Sequence, residues 1–123
     1  MTMKNEIKCV EDFFVYQKAS KLFEDFLEED LLILEKTFVG RTLARNQLRC
    51  LDSICANMEE GYERKFGKEI KNFFRISKGS AGEAMGRYKR LQKYFPEDLI
   101  KKRLSTLAEI RAILHSLILK WRD

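Results

Sequence analysis

Residues 49–83 read RCLDSICANMEEGYERKFGKEIKNFFRISKGSAGE. Before the glycines, Leu51, Ile54, Cys55, Met58 and Tyr62 recur at helical spacing; after them Ile70, Phe73, Phe74, Ser77 and Ala81 do the same. The Gly61 to Gly67 region between the two runs reads as a turn. A helix–turn–helix pair follows, and strand-like alternation is absent throughout the chain. Gly79, Gly82 and Gly86 fall inside the second of these helices. Each costs about 1 kcal/mol relative to alanine there, so close packing or a partner contact must offset the loss.

Outward from this pair, the helices extend over about Thr42 to Glu63 and Lys68 to Tyr94. An earlier segment, about Glu11 to Lys36, repeats Phe13, Tyr16, Ser20, Phe23, Leu27, Leu31 and Leu34. A last one takes Pro96 as a first-turn residue with Glu97 and Asp98 beside it, which suits the helix dipole. It continues through Leu107, Ile110, Leu114, Leu117, Ile118 and Trp121. Gly40 and Phe95-Pro96 mark the remaining turns. Short connections make sequential helices antiparallel neighbours, so the expected fold is all-α, an antiparallel up-down-up-down four-helix bundle. Residues 1–123 form one domain in this reading, with 1–10 a flexible N-terminal segment. Phe14, Leu22, Phe26 and Leu32 widen the first stripe, and Ile113 and Leu119 lie off the last one. The surplus serves either a wide bundle face or a second buried surface between copies.

The composition, 45% hydrophobic and 35% charged, fits an amphipathic folded chain rather than a disordered one. No apolar run approaches the roughly 18 residues of a membrane span, and residues 1–8 carry no apolar leader; a cytoplasmic protein is expected. Cys9, Cys50 and Cys55 with a lone histidine make neither a disulfide framework nor a zinc site, and are read as buried small hydrophobes. His115 is placed at a helix surface or core edge. There is no nucleophile–base pair, phosphate loop or HExxH. The expectation is a non-catalytic protein without metal, cofactor or small-molecule substrate.

Charge is uneven. Residues 1–36 hold five Lys/Arg against nine Asp/Glu, and residues 37–123 hold nineteen against ten. Arg41, Arg45 and Arg49 form an i, i+4, i+8 row, and Arg75, Gly79, Gly82, Glu83, Gly86 and Arg90 share one face of the third helix. Lys78 and Lys93 join these as candidate nucleic-acid contacts, and Lys101, Lys102 and Arg103 add a cluster on the last helix. Such rows can neutralise phosphates and release counterions. They are equally read as solvated faces, or as partners for Glu24, Asp25, Glu28 and Glu29 of a neighbouring subunit. The glycine row admits either close helix approach or a phosphate groove, the former favoured because mid-helix amides are already bonded. Ser53 and Asn57 stack on one edge of the second helix. Asn57, Glu60 and Arg64 are expected to form a network fixing the turn at Gly61, with Glu60–Arg64 an i, i+4 pair.

Arg49, Ser53-Ile54, Asn57, Glu60-Gly61, Arg64, Glu69, Phe73, Ile76, Gly79-Ser80 and Glu83, in this order and spacing, resemble the bacterial four-helix-bundle family, the 23S rRNA intervening-sequence proteins. Val15-Tyr16-Gln17-Lys18-Ala19 resembles the aromatic-Gln-x-Ala element of that family's first helix. The resemblance implies a ring, typically a homopentamer, with no established enzymatic activity. It also implies kinship with accessory proteins of diversity-generating retroelements, which bind reverse transcriptase and nucleic acid. Leu48-Arg49 stands where the family has paired arginines, and Glu59 and Glu63 replace its Ala and second Gly, making that turn more acidic. The expected function is a non-catalytic oligomeric accessory protein that engages RNA or a nucleic-acid–protein complex through phosphates; the alternative is a protein-interaction ring.

Overall fold

The computed structural model describes residues 7–64 and 67–121. These residues form helices α1 (Phe14–Asp25), α2 (Leu31–Leu34), α3 (Phe38–Arg64), α4 (Gly67–Arg90) and α5 (Glu97–Lys120), with no strand among them. A π-helical stretch, Phe26–Asp30, joins α1 to α2, so the two make one rod and the molecule is a four-helix bundle.

Cross-helix contacts run in opposite numerical order, which makes neighbours antiparallel. Phe13 meets Tyr62, and Tyr16 Oη donates to Glu59 Oε2 at 2.6 Å, joining the first rod to α3. Between α3 and α4, Gln47 Nε2 donates to the Ala84 carbonyl at 3.0 Å, and Ser77 Oγ to the Ile54 carbonyl at 2.7 Å. Between α4 and α5, Lys78 meets His115 and Phe74 meets Trp121. Lys18 pairs with Glu109 to close the ring of helices. Phe74 is the aromatic centre of one end, with ring centroids 5.8 Å from Phe13 and 4.9 Å from Trp121. Such pairs add about 0.5–1.5 kcal/mol each beyond the area they bury.

The stripes expected on α3, α4 and α5 form the core, but that of the first rod lies one residue away. Val15, Ala19, Leu22, Phe26, Asp30 and Leu34 are buried there, while Tyr16, Phe23 and Leu31 are half-buried and Leu27 is exposed. Leu22 and Phe26, expected to widen the stripe, are its centre. This rod is apolar on two adjacent faces, so periodicity alone does not choose between them. The π-helical turn supports the observed phase. A repeat of four drifts about 40° per step on a straight α-helix, and the wider turn absorbs that drift so that Phe26, Asp30 and Leu34 stay in line.

Other boundaries also shift. Gly40 lies within the first turn of α3, where a Cβ would sit 2.1 Å from the Leu34 carbonyl oxygen. Gly61 is not a turn residue but a buried position inside α3, because the rings of α4 come against its backbone. Lys65 and Phe66, within the expected turn, lie outside the described residues. Helix α4 ends at Arg90, and Gln92–Tyr94 form a 3-10 turn; α5 begins at Glu97 with Pro96 as its N-cap, whose carbonyl accepts from Leu99 and Ile100. Of the expected flexible segment 1–10, residues 1–6 lie outside the described residues. Beyond them the chain is tied: the Lys8 and Cys9 amides donate to the Asp12 carboxylate at 2.8 and 3.2 Å, and Val10 is buried. No helix among the described residues is long and apolar enough to cross a membrane.

A candidate nucleic-acid interface on helices α3, α4 and α5

The bundle has one charged interior feature that explains part of the surface. Asp30 is 0% exposed and Arg103 is 1% exposed. Arg103 Nη2 donates to Asp30 Oδ1 at 2.8 Å and Nε reaches both carboxylate oxygens at 3.2 Å. Tyr88 Oη donates to Asp30 Oδ2, and Arg103 Nη2 also donates to Glu29 Oε1. Burial, then the Asp30 charge, pushes the Tyr88 hydroxyl well above the ordinary phenol range. Arg103 therefore does not belong to a basic surface cluster with Lys101 and Lys102. It sits in phase with Ile100 and Leu107, three before and four after, and that spacing is the sequence signal that could have located it. Glu29, with Asp25 at 4.0 Å, turns toward this guanidinium, so part of the acidic first rod is compensated inside the chain.

The expected polar network divides in two. Asn57 Nδ2 donates to the Ser53 carbonyl at 2.8 Å and to Ser53 Oγ at 3.0 Å, and Ser53 Oγ lies 2.7 Å from Ser80 Oγ. This half ties α3 to α4. The other half is at the end of α3, where Arg64 Nε donates to Glu60 at 2.9 Å and Arg64 reaches Glu69 at 3.6 Å, all on the surface. Asn57 does not join it, because its amide is already satisfied one turn back at Ser53. Arg64 also lies over the Phe73 ring at 5.5 Å. Glu83 accepts from Arg87 at 3.1 Å, and that guanidinium, then the Cys50 thiol, holds its carboxyl below the usual range.

Arg41, Arg45 and Arg49 are exposed along the outer face of α3. Arg41 Nη1 donates to the Glu35 carbonyl at 2.9 Å; Arg45 and Arg49 make no ion pair among the described residues. Arg75 and Arg90 are exposed on α4, whereas Lys93 lies beyond its end on the 3-10 turn and does not continue the row. The structure thus brings Arg75, Lys78 and Gly79 together and leaves the Arg41 row on a separate face.

A groove of about 530 Å³ runs between α4 and α5. Arg75 and Lys78 form one wall, Arg111 and His115 the other, and Gly79 and Gly82 lie between them. Ile118 and Leu119 make its apolar end, Leu119 being 72% exposed. No carboxylate lines it among the described residues. Arg75 Nη1 donates to Asn72 at 3.0 Å, and Lys78 Nζ lies 2.9 Å from His115 Nδ1. Gly79 and Gly82 do not serve close helix approach among the described residues. A Cβ on Gly79 would meet nothing within 4 Å, and one on Gly82 would meet the Arg111 side chain at 3.5 Å. Arg111 and His115 escaped sequence reasoning. They are one turn apart, a visible spacing, but which face of α5 meets α4 depends on the rotation of the helix in the bundle.

Cys50 and Cys55 are buried as expected, Cys55 with its thiol pushed up to about 12 by burial; Cys9, by contrast, is exposed ahead of the first turn. His115 is at the surface. No group of three or more His, Cys, Asp or Glu could hold a metal ion among the described residues. Residues 11–116 match the family model described as 23S rRNA-intervening sequence protein. No curated protein and no solved structure matches the chain.

Proposed function

The chain belongs to the 23S rRNA-intervening sequence protein family, and on that premise we propose that it is a non-catalytic, oligomeric accessory protein binding RNA or a nucleic-acid–protein complex through phosphates. The observation that carries this reading is the exposure of uncompensated cations on α3 and α4. Arg45, Arg49 and Arg75 reach solvent with no carboxylate partner among the described residues, although the acidic first rod is in the same chain; Arg90 is exposed too, with the Glu83 carboxylate close enough to feel its charge. Several acids are committed elsewhere: Glu29 and Asp30 to Arg103, Asp25 to Lys21, and Glu83 to Arg87. Phosphate contacts of this kind position a polyanion without reading its sequence. Copies of the chain arranged in a ring, five by the family resemblance, multiply a weak patch through effective concentration.

Gel shift with a structured RNA at stepped salt tests the reading. Replacing Arg41, Arg45 and Arg49 with Ala is expected to weaken binding at about 150 mM salt and to lower the slope of log K against log salt by about 0.7–0.9 for each phosphate that is no longer neutralised. An unchanged affinity and slope would reduce the row to a solvated face. A second reading, a ring that holds a protein partner, is favoured by the exposed apolar side chains Phe38 (73%), Leu32 and Phe14. Partners that survive nuclease treatment in a pull-down from cells would support it over RNA.

A further inference from the structure

We propose that the α4–α5 groove is a seat for one or two nucleotides of a single strand, with the phosphates on Arg75, Lys78 and Arg111 and a base against His115 and Leu119. This rests on the proposed nucleic-acid role and assigns it a place and a strandedness. Three observations carry it. The groove, at about 530 Å³, falls in the roughly 300–1,000 Å³ range of small-ligand sites, room enough for an extruded nucleotide. Its cations are three, and no carboxylate among the described lining residues opposes a phosphate. Its other wall offers a planar group one turn from a cation: Arg111 and His115 are at i and i+4 on α5, hence about 5–6 Å apart at Cβ, and an imidazole plane is a surface on which an unpaired base stacks.

The glycines fit this use. The floor is open because Gly79 and Gly82 carry no side chain, and no neighbour among the described residues requires them to lack one, since a Cβ at Gly79 would meet nothing within 4 Å. Alanine there is better for the helix by about 1 kcal/mol. An empty floor is therefore explained by what enters the groove. Lys78 Nζ lies 2.9 Å from His115 Nδ1, bridging the two walls, and its ammonium has no carboxylate partner among the described residues. A phosphate arriving there gives the ammonium a charged acceptor, a stronger partner than an uncharged one.

The test is fluorescence anisotropy at pH 8 with a labelled 10-nucleotide oligouridylate and with an RNA duplex of equal length, on the full chain, with particle mass recorded for every variant. The wild type is expected to bind the single strand more tightly than the duplex. Gly79→Leu fills the floor, leaves the charge untouched and improves helix propensity; it is expected to weaken the single strand about tenfold or more while circular dichroism is unchanged. His115→Ala removes the stacking plane, and is expected to weaken binding about tenfold with the same salt slope, stacking contributing about that much per base. Arg111→Gln is expected to weaken binding and to lower the salt slope. Equal binding by wild type and Gly79→Leu, with the Arg41, Arg45 and Arg49 triple variant still impaired, overturns the groove and leaves the proposed function standing. Tighter binding of the duplex overturns it likewise, as does a changed particle mass in Gly79→Leu, which would place the glycines between copies. No binding by the wild type in either form fails both readings.

Discussion

At Asp30 the chain places a carboxylate where Tyr88 from α4 and Arg103 from α5 both bond to it, out of water. Taking two charges out of water is costly, and the pair is sustained only while each has the other. Asp30→Ala is expected to destabilise by about 3–5 kcal/mol, measured by urea unfolding, because Arg103 is left buried with only Glu29 and the more distant Asp25 beside it. The double change Asp30→Leu with Arg103→Met is expected to recover most of that loss; if it does not, the pair contributes net stability rather than specificity. The cysteines make a second prediction at this scale. With burial raising Cys50 and pushing Cys55 up to about 12, native protein at pH 8 is expected to give one accessible thiol to a disulfide reagent, Cys9, and three after unfolding. More than one fast thiol in the native state would show that α3 opens readily.

The four helices differ in how much of their arrangement local spacing carries. On α3 and α5 the buried positions Leu51, Ile54 and Met58, and Leu107, Ile110 and Leu114, follow directly from the 3-4 repeat. The first rod has two apolar faces, and a π-helical turn then selects one of them, a feature that no residue pattern announces. Glycines inside helices divide in the same way. A Cβ at Gly61 would lie 2.9 Å from Phe74 and 3.0 Å from Phe73, so Gly61→Ala is expected to cost about 1–3 kcal/mol through overpacking of α3 on α4, despite better helix propensity. Gly79→Ala has no such neighbour and is expected to stabilise by about 1 kcal/mol. Thermal unfolding of the two variants beside the wild type checks both signs, and a loss of stability at Gly79 would mean that something outside the chain presses on it.

For the molecule as a whole, Phe14, Leu27, Leu32, Phe38, Val39 and Leu119 are large apolar side chains left at the surface of the single chain. A homo-oligomer is expected to raise Tm with protein concentration and to scatter light as a multiple of the 14.6 kDa chain. A concentration-independent Tm with a single-chain mass would remove multivalency from the proposed function. The amino-acid order by itself determined that the chain is an all-α, four-helix bundle of this family with a basic second half. Helical period, turn residues and net charge are local or additive properties, and they survive without knowledge of neighbours. Tertiary structure decided which charges remain available. The phase of Arg103 with Ile100 and Leu107 marks it as inward but does not name its partner; helix rotation and the antiparallel register bury it against Asp30 and leave Arg111 on a groove opposite Lys78. Those are relations between helices distant in sequence, set by how their side chains interlock.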